Sequence, residues 1–331
     1  MKNIKNIGLA IAAITTLASC ERNSTYENVK PSIANIAVAN ESFSTLEAAA
    51  VKGGVAVVLS NSNPGDPSGH YTVFAPTNDA FNRLGLNENT LGVLNPTFLT
   101  NTLLYHVSNG DLASGSFTTP TASALSGLTR RFVKRGSDTY INGSKIVATD
   151  ISAANGTVHA VDKVMIATGA NIVNSTIAVT NGSVFIKPEL TYLLAAILYV
   201  ERERPAVGLV NALATSPALT VFAPTDQAFI DLGVALGLPP FTKPSDIEKI
   251  NDPDLVKAVL FNHVFGGAKF TSEMNAGAQA NLNGTNLTLG AFTNGVLTVK
   301  GPTAASIPAN MVIPDIQTTN GVVHIIDRVL L

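Results

Sequence analysis

The sequence has little of what several classes of protein depend on. Of its 331 residues one is a cysteine and none is a tryptophan. No intramolecular disulfide can therefore form, and no metal site built from several thiolates is available. Charged residues make up 13% of the chain, which is about half the usual share of a soluble domain. The net charge of −2 argues against nucleic acid as a partner, because binding it requires a concentrated basic surface.

Catalytic motifs are missing as well. The sequence contains no Gly-x-Ser-x-Gly nucleophile elbow, no glycine-rich phosphate loop and no His-Glu-x-x-His zinc motif. A pair of carboxylates brought together by the fold, as in glycosidases, stays open as an alternative. We therefore predict a protein that is not an enzyme and that carries no cofactor.

The beginning of the chain has the pattern of an export signal. Lys2 and Lys5 form a short positive region, and the uncharged, largely apolar run after them is too short to span a bilayer. The only cysteine, Cys20, ends the tetrapeptide Leu-Ala-Ser-Cys. This tetrapeptide resembles the bacterial lipobox, in which the cysteine is acylated and the chain is cut just before it.

These features predict a lipoprotein. We expect residues 1–19 to be the signal peptide, Cys20 to carry the lipid and residues 20–32 to be a linker. An ordinary signal peptide with an incidental cysteine is the alternative. The expected location is the outer membrane, with the domains facing either the cell surface or the periplasm. A later apolar run, 190–200, is flanked by charges and predicts a buried core helix.

The rest of the chain consists of two copies of one sequence module. Three blocks recur in the same order: 71–81 with 219–229, 104–107 with 261–264, and 155–164 with 320–329. The first block of each copy reads as a strand that meets a proline and then a helix, for which Thr77 and Thr225 are the predicted N-caps. Each module is predicted to begin with helices and to end with short strands.

The third block contains a turn followed by a run rich in β-branched residues. Asn155-Gly156 and Asn320-Gly321 are typical of tight turns that need a positive φ. The β-branched run after each turn predicts the central strand of its module.

Together the three blocks resemble the fasciclin-like domain. The two Val-Phe-Ala-Pro-Thr boxes, the middle Tyr-His and the closing Asn-Gly-x-Val-His-x-x-Asp-x-Val carry this resemblance over residues 33–166 and 172–331. It implies an α+β fold of two tandem modules, each a seven-stranded β-sandwich-like wedge with several helices. It also implies an extracellular setting and a role in cell adhesion or matrix association without catalysis.

Four of the five histidines fall in repeated positions, His106 with His263 and His159 with His324. No second histidine stands at ligand spacing as in His-x-x-x-His. A metal site is therefore not predicted, and a structural role within each module is. In the resembling family the Tyr-His dipeptide has been linked to integrin-type adhesion. Tyr105, His106 and His263 are therefore the possible adhesion contacts, and burial in the core is the alternative.

Two features of the sequence leave open what such a contact would bind. The second copy departs from the dipeptide because Asn262 replaces the tyrosine. The basic cluster Arg130, Arg131, Lys134 and Arg135 predicts either contact with an anionic glycan or lipopolysaccharide phosphate, or a solvated hairpin face.

The expected function is that of a non-catalytic, lipid-anchored, extracytoplasmic protein that mediates cell-surface or matrix adhesion. Its expected partners are the membrane, through the N-terminal lipid, and an extracellular or envelope protein or polysaccharide. The alternative is a glycan- or small-ligand-binding accessory lipoprotein of outer-membrane nutrient uptake. A large apolar pocket favours the alternative, and a flat polar surface favours adhesion.

Overall fold

The structure is a computed structural model that describes residues 30–117 and 124–331. Within these ranges each repeat begins with helices and ends with strands, and the predicted α+β class is confirmed. Residues 33–166 are called the first repeat and residues 172–331 the second. The predicted signal peptide, Cys20 and most of the predicted linker lie outside the described residues.

Five α-helices are described in each repeat, joined by short loops and 3-10 turns. Those of the first repeat are α1 (Ile33–Ala39), α2 (Ser44–Lys52), α3 (Ala56–Ser60), α4 (Asn78–Asn82) and α5 (Pro96–Tyr105). Those of the second are α6 (Ile172–Thr180), α7 (Thr191–Glu203), α8 (Leu209–Thr215), α9 (Asp226–Ala235) and α10 (Pro253–Asn262). Helix α7 contains most of the apolar run expected to form a buried helix, and one face of α7 lies in the core.

The first repeat contributes one sheet of six described strands in the order β2-β1-β6-β5-β4-β3. The strands are β1 (Tyr71–Pro76), β2 (Val107–Asn109), β3 (Phe132–Arg135), β4 (Asp138–Ile141), β5 (Ser144–Ala153) and β6 (Gly156–Val161). Strand β6 lies in the interior of the sheet, parallel to β1 and antiparallel to β5, as the β-branched run predicted.

The second repeat has seven described strands of its own, divided between two sheets. They are β8 (Leu219–Pro224), β9 (Val264–Gly266), β10 (Gly277–Ala280), β11 (Asn286–Leu289), β12 (Val299–Lys300), β13 (Met311–Gln317) and β14 (Gly321–Ile326). The short strand β7 (Ile166–Ala167), at the end of the first repeat, pairs in parallel with β13. The larger sheet therefore runs β7-β13-β14-β8-β9 and contains backbone from both repeats.

The predicted threonine caps are confirmed. Oγ1 of Thr77 accepts a hydrogen bond from the backbone N–H of Ala80, and Thr225 does the same for Ala228. Each cap closes the N-terminus of the helix that follows the proline of β1 or β8. The Val-Phe-Ala-Pro-Thr box is thus a buried strand turning directly into a capped helix.

The turn at Asn155-Gly156 forms as predicted, but Asn155 contributes side-chain hydrogen bonds rather than a positive φ. Its two central residues are Ala154 and Asn155, since Ala153 pairs with Gly156. The Asn155 amide donates to the carbonyls of Leu59 and Asn61, at 2.9 and 2.7 Å. Its Oδ1 accepts from the first N–H of α1, at 2.9 Å. The asparagine therefore fixes two helices to the turn.

The equivalent Asn320-Gly321 repeats these contacts. Asn320 Nδ2 donates to the carbonyls of Leu213 and Ser216, and its Oδ1 accepts from the first N–H of α6. Gly156 has the predicted positive φ of +144°, whereas Gly321 is not among the residues with positive φ. What the two glycines share is close contact with the neighbouring parallel strand: a Cβ would lie 1.9 Å from the Tyr71 carbonyl at Gly156, and 2.3 Å from the Leu219 carbonyl at Gly321.

Each repeat packs its central strands between two apolar layers. Alternate residues of β1 point to opposite faces, so Val73 contacts the helices whereas Phe74 packs against the β3–β4 hairpin. Val221 and Phe222 of β8 divide in the same way. This layering places the end of α5, which carries Tyr105 and His106, at the middle of the first repeat.

Candidate functional site

His106 joins the end of helix α5 to the end of its repeat. Its Nδ1 donates to the Thr102 carbonyl at 2.7 Å, and its Nε2 accepts from the backbone N–H of Met165 at 2.9 Å. The residue is 2% exposed, and burial lowers the pKa of the imidazole to about 4. The ring is therefore neutral at physiological pH, with both nitrogens already hydrogen-bonded to backbone.

The second repeat builds the same connection with His263. Nδ1 donates to the Val259 carbonyl at 2.7 Å, and Nε2 accepts from the N–H of Leu330 at 2.9 Å. The residue is 3% exposed, and burial again lowers the pKa to about 4. The first pair of repeated histidines thus holds the same structural position twice.

His159 and His324 form the other repeated pair. The N–H of Asp150 donates to His159 Nδ1, and the N–H of Asp315 donates to His324 Nδ1, at 3.1 Å in both cases. Each Nε2 donates to a backbone carbonyl, that of Leu112 in the first repeat and that of Lys269 in the second. Among the described residues no group of three or more histidine, cysteine or acidic side chains could hold a metal ion.

Tyr105 faces the second repeat rather than solvent. It is 1% exposed, and its hydroxyl donates to Gln317 Oε1 while accepting from Asn142 Nδ2. Asn142 Nδ2 also donates to Gln317 Oε1 at 2.8 Å. Because Gln317 ends strand β13, the tyrosine connects the two repeats.

The replacement of this tyrosine in the second copy has a local explanation. Asn262 is 5% exposed, and its Oδ1 accepts from Asn283 Nδ2 at 3.1 Å. Its Nδ2 donates to the Leu330 carbonyl at 3.4 Å. The shorter side chain thus hydrogen-bonds within its own repeat, where the tyrosine bridges to a neighbour.

The three predicted adhesion contacts are therefore all interior residues. With Tyr105, His106 and His263 at 1%, 2% and 3% exposure, the surface of a macromolecular partner could reach them only if the surrounding helices moved. The arrangement assigns Tyr105 to contact between the repeats, and His106 and His263 to helix anchoring. Direct contact with an adhesion partner stays a prediction, and the described fold offers no surface for it.

Most of the basic cluster is also engaged, so the structure differs from both sequence interpretations. Arg131 Nη2 donates to Glu273 Oε2 at 2.7 Å and to the Ala268 carbonyl at 2.9 Å. Arg135 Nη1 donates to the carbonyls of Ser272 and Met274. These contacts cross between repeats, so the two arginines belong to the interface.

The other two members of the cluster lie in opposite environments. Arg130 is fully buried, donates to the Tyr105 carbonyl at 2.8 Å and lies 5.0 Å from the centroid of the Phe74 ring. Burial lowers the pKa of its guanidinium to about 10. Lys134 is exposed. Because only this lysine is fully open to solvent, the cluster does not form a continuous basic patch.

A buried ion pair lies at the centre of the interface. Lys163 Nζ is 2.5 Å from Asp315 Oδ2, and the two side chains are 7% and 6% exposed. The ammonium also donates to Thr271 Oγ1 and to the Gly295 carbonyl. Asp315 accepts in addition from the N–H and the hydroxyl of Thr271. Both charges therefore keep hydrogen-bond partners where water is largely excluded.

Apolar contacts complete the interface. Leu84 and Phe98 of the first repeat pack against the core of the second, and Phe185 of the second packs against the core of the first. A backbone bridge joins Leu94 to Phe185. Together with β7 these contacts make the junction partly a shared core, which opposes free movement of the two modules.

Each repeat also contains an apolar cavity at matching places in the fold. In the first repeat the cavity measures about 190 Å³ and lies among α1, α2, α3 and β1. In the second it measures about 110 Å³ and lies among α6, α7, α8 and β8. His106 and His263 line the inner end of their respective cavities.

Comparison with known proteins identifies the family. The fasciclin domain model matches residues 41–167 and again residues 198–331, which is more than half of the chain. The chain belongs to the fasciclin domain family. The fold built from the two repeats thus agrees with the resemblance found in the three sequence blocks.

Several proteins show the same relationship over different shares of the chain. Protein sll1483 of Synechocystis is 29% identical over 166 residues, which cover 48% of this chain and 89% of that protein. Transforming growth factor-beta-induced protein ig-h3 of Oryctolagus cuniculus is 35% identical over 273 residues, covering 80% of this chain and 35% of that protein. Human periostin is 32% identical over 100 residues, 12% of its length. The chain thus spans only about a third of ig-h3 and less of periostin.

A solved structure of a FAS1 domain pair from the insect cell adhesion molecule fasciclin I also matches. The match has a TM-score of 0.37 at 15% identity and covers 79% of this chain and 88% of that chain. Within residues 30–117 and 124–331, no helix is long and apolar enough to cross a membrane.

Sequence reasoning did not find the contact between repeats. Lys163 corresponds to Arg328 in the second copy, so a basic residue there looked like an ordinary part of the repeated block. The exchange of Tyr105 for Asn262 was the available signal. It marks a position where the two copies differ, since Tyr105 contacts the second repeat whereas Asn262 hydrogen-bonds within its own repeat.

Proposed function

We propose that this chain is a non-catalytic, lipid-anchored interaction protein that mediates cell-surface or matrix adhesion. The observation that carries the proposal is the tandem fasciclin match together with the interface that holds the two modules in one arrangement. Two modules in a fixed arrangement present their exposed surfaces at a constant spacing. A multivalent partner such as a polysaccharide, or an array of envelope proteins, could then engage both.

The attachment and location are part of this proposal. Acylation of Cys20 would place the modules close to the outer membrane, because only a short linker separates the cysteine from α1. An acyl anchor of two or three chains gives stable attachment, whereas one chain binds only marginally. The partner is an extracellular or envelope protein or polysaccharide.

Protease accessibility on intact cells tests which way the modules face. The wild-type protein is compared with Cys20→Ser, and a periplasmic protein serves as the internal control. Digestion of the wild type while the control survives supports surface display and adhesion. Protection of both contradicts adhesion to other cells or surfaces and leaves an envelope role. Membrane association that persists in Cys20→Ser contradicts the lipid anchor.

A second function is favoured by a specific observation, the apolar cavity of the first repeat. A small-ligand-binding accessory of nutrient uptake would need such a cavity, whereas adhesion would not. Retention of an apolar ligand when the protein is purified from its native membrane would support this second function. A ligand-free protein that still promotes adhesion would contradict it.

A further inference from the structure

The cavity of the first repeat opens to the surface beside exposed apolar side chains. Its inner end is formed by Val73, Leu103 and His106. Its lining also includes Val38 and Val51, which are 61% and 67% exposed and so mark the opening. An apolar passage from the surface to the centre of a module is the geometry of a small-molecule site.

The two cavities correspond residue by residue. The N–H of Ile33 donates to Asn155 Oδ1, and that of Ile172 donates to Asn320 Oδ1, both at 2.9 Å. These contacts align α1 with α6. Helices α2 and α7 align through their first turns, where the N–H of Thr45 donates to Asn78 Oδ1 and that of Tyr192 to Asp226 Oδ1. The carbonyls of Leu59 and Leu213 align α3 with α8 in the same way.

This alignment shows why the first cavity is the larger one. Four lining positions of the first repeat are alanines whose counterparts are bulkier: Ala34 with Val173, Ala37 with Thr176, Ala50 with Ile197, and Ala56 with Val210. Ala50 and Ile197 are 9% and 8% exposed, so the same position is packed in both. The fold therefore accepts the larger side chains. The first repeat nevertheless keeps the space open, although an empty cavity lowers the stability of a core.

The chemistry of the lining selects the ligand. His106 offers no free nitrogen, because its Nδ1 and Nε2 are both bonded to backbone, so the buried part of a ligand must be apolar. Among the lining side chains Glu47 is the one that carries a full charge, and it is half-buried. Its counterpart in the second repeat is Leu194. A ligand head near Glu47 must then be uncharged or cationic, since a second anion would be repelled.

We infer that the first repeat binds the apolar part of one small molecule, a short chain or a ring, whose head group is neutral or cationic. A cavity of about 150 Å³ lined by apolar side chains is enough for a benzene-sized molecule, so the 190 Å³ here accommodates a small apolar group. The head group lies at the opening beside Glu47. This binding does not depend on the proposed adhesion role and would exist with or without it.

The test uses the full mature chain with Cys20→Ser and the neutral fluorescent probe N-phenyl-1-naphthylamine. The wild type is expected to bind one probe molecule per chain in the first repeat. Ala34→Val, Ala50→Ile and Ala56→Val together install the residues of the second repeat. This triple variant is expected to bind at least tenfold more weakly while unfolding at the same or a higher temperature.

The reverse exchange is the matched control. Val173→Ala, Ile197→Ala and Val210→Ala open the second cavity and are expected to add a second probe site. Equal probe binding by the wild type and the filled variant would overturn the proposal. So would binding to phosphatidylcholine vesicles without any binding of monomeric probe, because a membrane surface would then be the partner.

Competition identifies the head group. Decanol and decylamine, below their aggregation concentrations, are expected to displace the probe, and decanoate is expected to do so several-fold less well. Glu47→Leu copies the second repeat and is expected to remove the difference between decanol and decanoate. Preference for decanoate in the wild type, or a difference that persists in Glu47→Leu, would overturn the assignment of the head group.

Discussion

Lys163 and Asp315 form an ion pair of 2.5 Å between the two repeats, and both side chains are almost inaccessible to water. The equivalent carboxylate of the first repeat, Asp150, is exposed and accepts hydrogen bonds from the N–H and hydroxyl of Ser114. Asp150 and Asp315 share a positive φ and the same bond to a repeated histidine. The two repeats thus carry an equivalent aspartate, and in the second repeat it pairs with Lys163 of the first.

Lys163→Met is expected to destabilise the protein strongly. The substitution leaves the Asp315 carboxylate buried without its cation, and breaking such a pair from one side costs about 3–5 kcal/mol. Urea unfolding measures the loss. Lys163→Met combined with Asp315→Asn should recover part of it, because no unpaired charge is left behind.

The exposed pair Arg202–Glu248, at 3.1 Å, provides the control for this prediction. Arg202→Ala should leave the unfolding midpoint nearly unchanged, since solvent screens exposed pairs. If the loss of stability in Lys163→Met with Asp315→Asn equals the sum of the losses in the two single variants, Lys163 and Asp315 are not energetically coupled.

Tyr105→Phe is expected to loosen the contact between the repeats while leaving the secondary structure intact. Loss of the hydroxyl removes one hydrogen-bond partner from Gln317 and one from Asn142, which predicts a loss of about 1–3 kcal/mol. Spin labels on Val57→Cys and Val234→Cys, in a Cys20→Ser background, report the spacing of the modules. Both valines are exposed, at 71% and 70%, so labelling should not disturb the core.

The distance distribution between the two labels should broaden in Tyr105→Phe. Asn262→Ala removes hydrogen bonds of the equivalent residue within the second repeat and should leave the distribution unchanged. An unchanged distribution in both variants would show that β7 and the apolar contacts fix the arrangement without the tyrosine.

The sequence predicted what short-range physics determines. Thr77 and Thr225 cap helices because a hydroxyl before a helix satisfies a free N–H within three residues. Residues 191–200 form a core helix, as the length and apolar character of the run predicted. Both predictions needed only neighbouring residues.

The contact between the repeats depended on long-range geometry and could not be found in this way. A lysine in a repeated block gives no sign of whether it faces solvent or a carboxylate 152 residues away. The same holds for Arg131 and Arg135, whose place in a basic cluster predicts exposure although both contact the second repeat. Tyr105 and His106 illustrate a related limit, because a motif identifies the residues that matter without showing whether they are structural or exposed.

Stability is expected to fall as the pH is lowered from about 6.5 to about 4. Burial lowers the pKa of His106 and of His263 to about 4, whereas the unfolded value is about 6.5. Between these values the unfolded chain binds more protons than the folded one, so unfolding becomes more favourable as protons are added. Each histidine contributes on the order of 3 kcal/mol over this window.

Urea unfolding at a series of pH values measures this dependence. His106→Gln should lower stability at neutral pH and reduce the slope between pH 6.5 and 4, with the His263 contribution remaining. His106→Gln with His263→Gln should flatten the slope further. A slope that is the same in the wild type and the double variant would assign the acid sensitivity to other groups.

Gly156→Ala is expected to be among the most damaging single changes in the first repeat. Its φ is +144°, and a Cβ would lie 1.9 Å from the Tyr71 carbonyl oxygen. Strain and overlap together predict a loss of at least about 3 kcal/mol. Gly321→Ala meets the Leu219 carbonyl at 2.3 Å without positive φ, so it should cost less. Gly115→Ala meets nothing within 4 Å and should stay within about 0.5 kcal/mol of the wild type. Urea unfolding that ranks the three variants differently would show that the parallel β1–β6 pair can separate to admit a methyl group.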